Sequence, residues 1–200
     1  MNSPNPTSSK LRDAVLAAGR VFFRIAFRAR VRGVEHLRGL EGPAMITPNH
    51  QSFLDAALLA VFLPEMRFAI DTHISERWII RPFLRFANTV PIDPTNPFGA
   101  RVLARALAEG DKVCVFPEGR ITVTGGLMKI TGGPGMLADK AQCPVVPIII
   151  EGAQRTILSR MRGRLPLALF PRITVTVMPP RPTPTVEGLF GKKRRAVLKN

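Results

Sequence analysis

Ala44-Met45-Ile46-Thr47-Pro48-Asn49-His50-Gln51-Ser52-Phe53-Leu54-Asp55-Ala56-Ala57-Leu58-Leu59-Ala60-Val61-Phe62 decides how the chain is read. The stretch opens as an apolar run of strand length, Pro43 to Thr47, and closes as an apolar helix that Pro64 ends. Between them lies a polar island, Asn49-His50-Gln51-Ser52. Ser52 suits the N-cap of the helix, with Asp55 three positions on in a capping-box arrangement. Strand, polar loop and helix in that order form the repeating unit of an α/β domain. Such domains hold their sites at the carboxyl ends of strands.

The same grammar recurs along the chain. Val31 to Leu37 and Arg67 to Ile70 read as short strands, and Ser75 to Ala87 as a helix interrupted by Pro82. Thr89 to Ile92 is a further short strand. Pro97 to Glu109 has proline at its start and Gly110 after its end, the asymmetry of a helix. Lys112 to Phe116 is a strand that runs into a second polar island, Phe116-Pro117-Glu118-Gly119-Arg120. Glycine clusters at 125–126 and 132–135 flank Leu127 to Ile130 and mark tight turns in a loop expected to be mobile. Met136 to Lys140 reads as a helix, Pro144 to Ile150 as a central apolar strand, and Leu165 to Phe170 and Ile173 to Met178 as two more strands. The last alternates Ile173, Val175 and Val177 with Thr174, Thr176 and Met178, so it should be half-buried. The expected fold is α/β, a mixed, mostly parallel sheet flanked by helices.

Met1 to Ser9 reads as disordered, and Leu11 to Arg30 as an amphipathic basic helix. Leu11, Val15, Ala18, Phe22, Ile25 and Ala29 form one apolar line. Leu16, Phe23 and Phe27 form a second line roughly opposite, and Arg20, Arg24 and Arg28 step along a flank. Such a helix packs between two protein surfaces, or lays one line on the domain and the other on a membrane surface with its arginines at the head groups. The divisions are then 1–30 for the start and this helix, 31–180 for the α/β domain, and 181–200 for a basic tail or linker holding Lys192-Lys193-Arg194-Arg195.

Charge favours the membrane. Lys and Arg total 29 against 14 Asp and Glu, a formal net charge of +15, which points to a polyanionic partner. Nucleic acid fits poorly: aromatic content is 6%, tyrosine is absent, and no nucleic-acid motif occurs. The longest apolar stretch, Leu54 to Pro64, is too short to span a bilayer and contains Asp55. Cys114 and Cys143 sit in apolar runs, as buried thiols do, and metal-type Cys/His spacing is absent.

His50 and Asp55 can act together. Asp55 in the first turn leans back toward the loop that holds His50. A carboxylate on one ring nitrogen fixes the tautomer and makes the other a better base for a substrate hydroxyl. Against this stands a plain reading, in which Asp55 only caps its helix. In the second island, Arg120 beside the N–H groups of a glycine turn suits a phosphate, with Lys129 a further cation for the same anion. Here the plain reading is a solvated Glu118–Arg120 ion pair.

NHQSFLD, then FPEGR, then VVPIII resembles the glycerolipid acyltransferase family, from about Val31 to about Pro180. That family's blocks are N-H-x4-D, F-P-E-G and a proline-containing apolar run, here around Pro147. The resemblance implies an α/β domain on the membrane surface that moves an acyl group from a thioester to a lipid hydroxyl. His50 is then the base and Asp55 its orienting partner. Glu118, Gly119 and Arg120, with Asn49 and Lys129, contact the acceptor, and N–H groups near Gly119 are candidates for the oxyanion. The donor is acyl-carrier protein or coenzyme A as its thioester, with no cofactor and no metal. Two departures bear on the acceptor. Arg120 directly follows Gly119, where the family places a threonine between them, and Pro91 stands where a phosphate-binding arginine is expected. FPEGRITVTGGLMKI further resembles the acyltransferase part of bacterial bifunctional proteins that reacylate 2-acyl-glycerophosphoethanolamine and carry a downstream acyl–acyl-carrier-protein synthetase. The expected acceptor is therefore lysophosphatidylethanolamine, the alternative lysophosphatidic acid, and the expected location the cytoplasmic face of the inner membrane. A rival of another class is a non-catalytic basic binder of membranes or nucleic acid.

Overall fold

The computed structural model describes residues 6–72, 87–93 and 97–183. The expected helix over Ser75 to Ala87 and the basic tail fall almost wholly outside them. Seven strands form one sheet: β1 (Arg30–Arg32), β2 (Ala44–Pro48), β3 (Met66–Asp71), β4 (Thr89–Ile92), β5 (Lys112–Cys114), β6 (Val145–Glu151) and β7 (Thr174–Val177). Their order is β1-β7-β6-β2-β5-β3-β4. Every neighbouring pair is parallel except β6 and β7, so the sheet is mixed and mostly parallel.

Period-two alternation gives the sheet two apolar faces. Ala44 and Ile46 of β2 face one cluster with Cys114, Val146, Ile148 and Val175. Helices α1 (Pro6–Ala26) and α3 (Leu54–Phe62) cover that face, contributing Phe23, Leu58, Leu59 and Phe62. Met45 points the other way, with Val113, toward α4 (Pro97–Ala108) and α5 (Gly133–Ala141), which contribute Leu103, Leu107 and Ala138. A buried sheet between two helical layers explains why β2, β5 and β6 read as near-continuous apolar runs. Cys114 and Cys143 are buried free thiols on opposite faces, and burial pushes both thiols up, away from thiolate chemistry.

Three expectations shift. α1 starts at Pro6 rather than Leu11 and stops at Ala26, because proline in the first turn lacks only an N–H that the helix does not use. Val31 to Leu37 is strand only at its start: β1 ends at Arg32, and Glu35–Arg38 forms a helical turn, α2. Leu165 to Phe170 is not a strand. It makes a single isolated bridge, Thr156 to Ala168, since Pro166 and Pro171 remove the donors a ladder needs.

Candidate active site

β2 delivers the site. Past Pro48 the chain leaves the sheet at its carboxyl edge, and Asn49 holds the exit in place. Its amide Nδ2 donates to the Ile150 carbonyl at 3.0 Å, and its Oδ1 accepts from the Ile150 N–H at 2.6 Å. The side chain thus acts as one more rung between β2 and β6. Both ends of its amide are thus engaged by the Ile150 backbone.

His50 comes next, half-buried, its Nδ1 2.9 Å from Oδ2 of Asp55. Asp55 is fully buried in the first turn of α3. The same Oδ2 accepts the N–H groups of Gln51 at 2.5 Å and Ser52 at 2.8 Å. One carboxylate oxygen thus holds both the imidazole and the backbone that enters the helix. The N-cap falls at Phe53 rather than the expected Ser52 and carries no side-chain cap, and Ser52 Oγ accepts the Leu54 N–H at 3.2 Å. Burial raises the Asp55 pKa above its ordinary value, while the hydrogen bonds from His50, Ser52 and Gln51 oppose that rise. With Nδ1–H given to Asp55, Nε2 keeps its lone pair, the condition for a base. The imidazole also stacks on Phe116, ring centroids 4.1 Å apart and planes 23° from parallel. Phe116 was in plain view in the second island, but nothing in its spacing announced a stacking role.

The second island follows β5, next to β2 in the sheet. Glu118 is buried, and each oxygen accepts a backbone N–H: Oε1 from His50 at 3.0 Å, Oε2 from Met128 at 3.1 Å. The structure thus places Glu118 as a strut between the two islands and the glycine-flanked loop. It forms no ion pair with Arg120. Thr122 holds the other side of His50, its N–H donating to the His50 carbonyl at 2.8 Å. Thr131 donates both its N–H and its hydroxyl to the Pro117 carbonyl. The loop expected to be mobile is therefore bonded at Glu118, Thr122 and Thr131. Gly119 has φ +66°, a left-handed conformation that favours glycine, and its N–H closes the turn on the Phe116 carbonyl. That N–H is consequently engaged within the turn. Arg120 and Lys129 are exposed, with no hydrogen bond or ion pair to another described residue. They are the cations the second island and its glycine-flanked loop present. A contact absent from the sequence reading joins the first island to the segment after β6: Ser52 Oγ and Thr156 Oγ1 are 2.9 Å apart, both buried. Among the described residues no cluster of three metal-ligating side chains occurs.

The α/β sheet thus carries a carboxylate-oriented histidine at its carboxyl edge, braced by a second polar loop. The sequence model of the family described as acyltransferase matches residues 28–151, and the chain belongs to that family. It is 28% identical over 143 residues to the chloroplastic 1-acyl-sn-glycerol-3-phosphate acyltransferase LPAT1 of Arabidopsis thaliana, covering 70% of this chain and 40% of that one. It is 30% identical over 176 residues to the 1-acyl-sn-glycerol-3-phosphate acyltransferase alpha of Ovis aries, covering 81% of this chain and 56% of that one. The chain thus spans about half the length of these relatives. The crystal structure of the 1-acyl-sn-glycerophosphate acyltransferase PlsC from Thermotoga maritima superposes with a TM-score of 0.68 over 97% of this chain and 80% of that one. At 21% identity that likeness speaks to the fold. The relatives named here are 1-acyl-sn-glycerol-3-phosphate acyltransferases by name, which backs the alternative acceptor better than the one expected first from sequence.

Proposed function

We propose that the protein is a membrane-surface O-acyltransferase that moves a fatty acyl group from a thioester to the free hydroxyl of a lysophospholipid, with 1-acyl-glycerol-3-phosphate as acceptor. The observation that carries the reading is the 2.9 Å His50–Asp55 contact inside the family's first block. His50 Nε2 takes the acceptor's hydroxyl proton as its oxygen attacks the thioester carbonyl. The tetrahedral intermediate collapses with loss of the C–S bond, and the imidazolium returns the proton to the leaving thiolate. Arg120 and Lys129 supply charge for the acceptor's phosphate. The names of the relatives support the phosphomonoester. A second reading, the ethanolamine lysolipid, is favoured by Pro91, which puts a proline where a further cation would serve a phosphomonoester.

The membrane side of the reading rests on α1. Leu16, Phe23 and Phe27 are buried against the domain, whereas Leu11 is 62% and Ile25 75% exposed on the other line. No helix among the described residues is long and apolar enough to cross a membrane. The outer line would lie in the lipid interface, on the cytoplasmic face where thioester donors are made. Arginines of α1 also contact α3 and the residues after it. Arg20 donates to the Val61 carbonyl at 2.9 Å, Arg12 to the Pro64 carbonyl at 3.3 Å, and Arg24 lies over the Phe62 ring. Three arginines thus seat α1 on the carbonyl end of α3, where cations are favoured.

The test is a transfer assay with purified protein, acyl-carrier-protein and coenzyme A thioesters as donors, and a panel of lysolipids. His50→Ala should lower kcat by roughly 10²–10⁴-fold with the fold intact. Near-wild-type turnover in a folded His50→Ala protein would remove the base. A preference for the ethanolamine lysolipid over the phosphomonoester would restore the second reading.

A further inference from the structure

The segment between β6 and β7 has no part in the site's chemistry, and its composition is unusual. Residues 153–172 contain five arginines (Arg155, Arg160, Arg162, Arg164 and Arg172) and no Asp or Glu. The same segment exposes large apolar side chains: Ile157, Leu158, Leu169 and Phe170. A surface that is at once cationic and apolar matches an anionic bilayer interface, which offers phosphates above and acyl chains below.

Contacts make this segment one continuous ledge. The Thr156–Ala168 bridge is parallel, so Ile157 and Leu169 follow it side by side. Phe170 packs edge-on against Phe27, centroids 5.3 Å apart, and Arg28 donates to the Phe170 carbonyl at 3.0 Å. One end of the ledge therefore touches the end of α1. At the other end the Phe53 N–H donates to the Leu158 carbonyl at 3.3 Å, and Arg160 lies over the exposed Phe53 ring. Phe53 is three residues from His50. The ledge thus runs from the helix that faces outward to the mouth of the site, along the carboxyl edge of the sheet.

Within it lies a cleft of about 500 Å³, lined by Arg28, Arg155 and Arg172 together with Gln154. None of these arginines forms an ion pair with a described carboxylate. The Gln154 side-chain oxygen is buried with no hydrogen-bond partner. Three guanidinium groups fit a phosphate, and a lone amide oxygen fits a hydroxyl donor beside it.

We propose that residues 153–172 are a bilayer-docking ledge whose arginine cleft seats the headgroup of an anionic phospholipid. This deepens the membrane-surface reading above and rests on it. The ledge is a second contact, independent of α1, and it sets the mouth of the site against the lipid surface from which the acceptor comes.

Flotation of the full chain with vesicles tests it without using turnover. Vesicles of phosphatidylcholine alone are compared with vesicles of phosphatidylcholine mixed with phosphatidylglycerol. The Arg155→Glu/Arg172→Glu protein should partition about tenfold less onto the mixed vesicles and no differently onto the neutral ones. Ile157→Asp/Leu169→Asp should lose partition onto both. If both double variants keep a native circular dichroism spectrum and float like wild type, the ledge is not a docking surface. Loss of flotation only in Phe22→Ser/Ile25→Ser would assign docking to α1 alone and likewise overturn it. A melting-temperature rise with inorganic phosphate that the arginine variant abolishes, with flotation unchanged, would make the cleft a soluble-phosphate seat instead. Ledge-dependent flotation in a wild-type protein with no transfer activity would keep the ledge while removing the acyltransferase reading. Transfer with ledge-independent flotation would do the reverse.

Discussion

Oδ2 of Asp55 accepts three N–H donors, whereas Oδ1, equally buried, accepts none. That asymmetry explains how a carboxylate can be well held and still be raised in pKa: burial acts on the whole group, the hydrogen bonds on one oxygen. The sign follows. A raised folded-state pKa means the folded protein holds a proton that the unfolded chain has released, in the window above 3.8. Stability from this group is full below that window and is lost as pH rises through the folded-state value. Asp55→Asn removes the charge at nearly constant shape. It should therefore be more stable than wild type at pH 7, with the difference shrinking as pH approaches 4, while transfer falls by roughly 10²-fold or more because the tautomer is no longer fixed. Urea midpoints across that range decide it, and an Asp55→Asn protein less stable than wild type at neutral pH would show that the three hydrogen bonds outweigh burial. Glu118 offers a cleaner separation of roles. Glu118→Gln puts an amide N–H₂ against a backbone N–H at either His50 or Met128. Loosening the His50 backbone should lower kcat by roughly 10²-fold and leave the acceptor KM nearly unchanged. A rise confined to the acceptor KM would instead support the substrate-contacting role that the family resemblance implied. Both residues were legible as chemistry. Their partners were not, because the same carboxylate serves equally well to accept backbone N–H groups, and a sequence does not say which backbone lies near.

At the scale of elements, the two apolar lines of α1 were readable from spacing, and the line of Leu16, Phe23 and Phe27 is the buried one. What spacing did not give was the tightness of the seat. Gly19 faces Val61 of α3 so closely that a Cβ would lie 2.9 Å from the Val61 Cγ2 atom, and Arg20 bonds the carbonyl of that same valine. Gly19 lets the two helices meet, although glycine inside a helix disfavours it by about 1 kcal/mol relative to alanine. Gly19→Val should force the helices apart and destabilise the protein by about 1–3 kcal/mol, read as a lower urea midpoint with an unchanged slope. An unchanged midpoint would mean that Val61 simply turns to another rotamer. The misread strand at Leu165 to Phe170 teaches the complementary lesson. Its apolar content was real, but with prolines at 166 and 171 the segment keeps those side chains outside a ladder, and Leu169 and Phe170 end up exposed. Hydrophobicity without donors marked a surface, and pattern reading alone assigned it to a strand.

On the scale of the molecule, one edge of the sheet collects everything chemical. β2 leads into His50, β5 leads into the Glu118 turn, and β6 ends where Ile150 grips Asn49. The strand order that achieves this puts β6, β2 and β5 side by side, although they are far apart in sequence. The alternation of strands and helices foretold a mixed, mostly parallel sheet. It could not foretell that β7 would run antiparallel, because a connection of more than twenty residues after β6 permits either direction. The net charge of +15 was visible from the start, yet charge alone could serve docking, acceptor phosphate or an acidic carrier protein. Salt separates these. Exposed charges are screened over about 10 Å at 0.1 M and about 3 Å at 1 M ionic strength, while apolar contacts survive. If the charge acts in docking, raising salt should lift the apparent KM for vesicle-borne acceptor several-fold and leave kinetics on a short-chain, monodisperse acceptor unchanged. If it acts chiefly through Arg120 and Lys129 on the acceptor phosphate, both acceptors should weaken together. The first outcome is expected, because exposed arginines lie along residues 153–172 as well as beside the site, and the outer line of α1 would hold a residual attachment that salt does not remove.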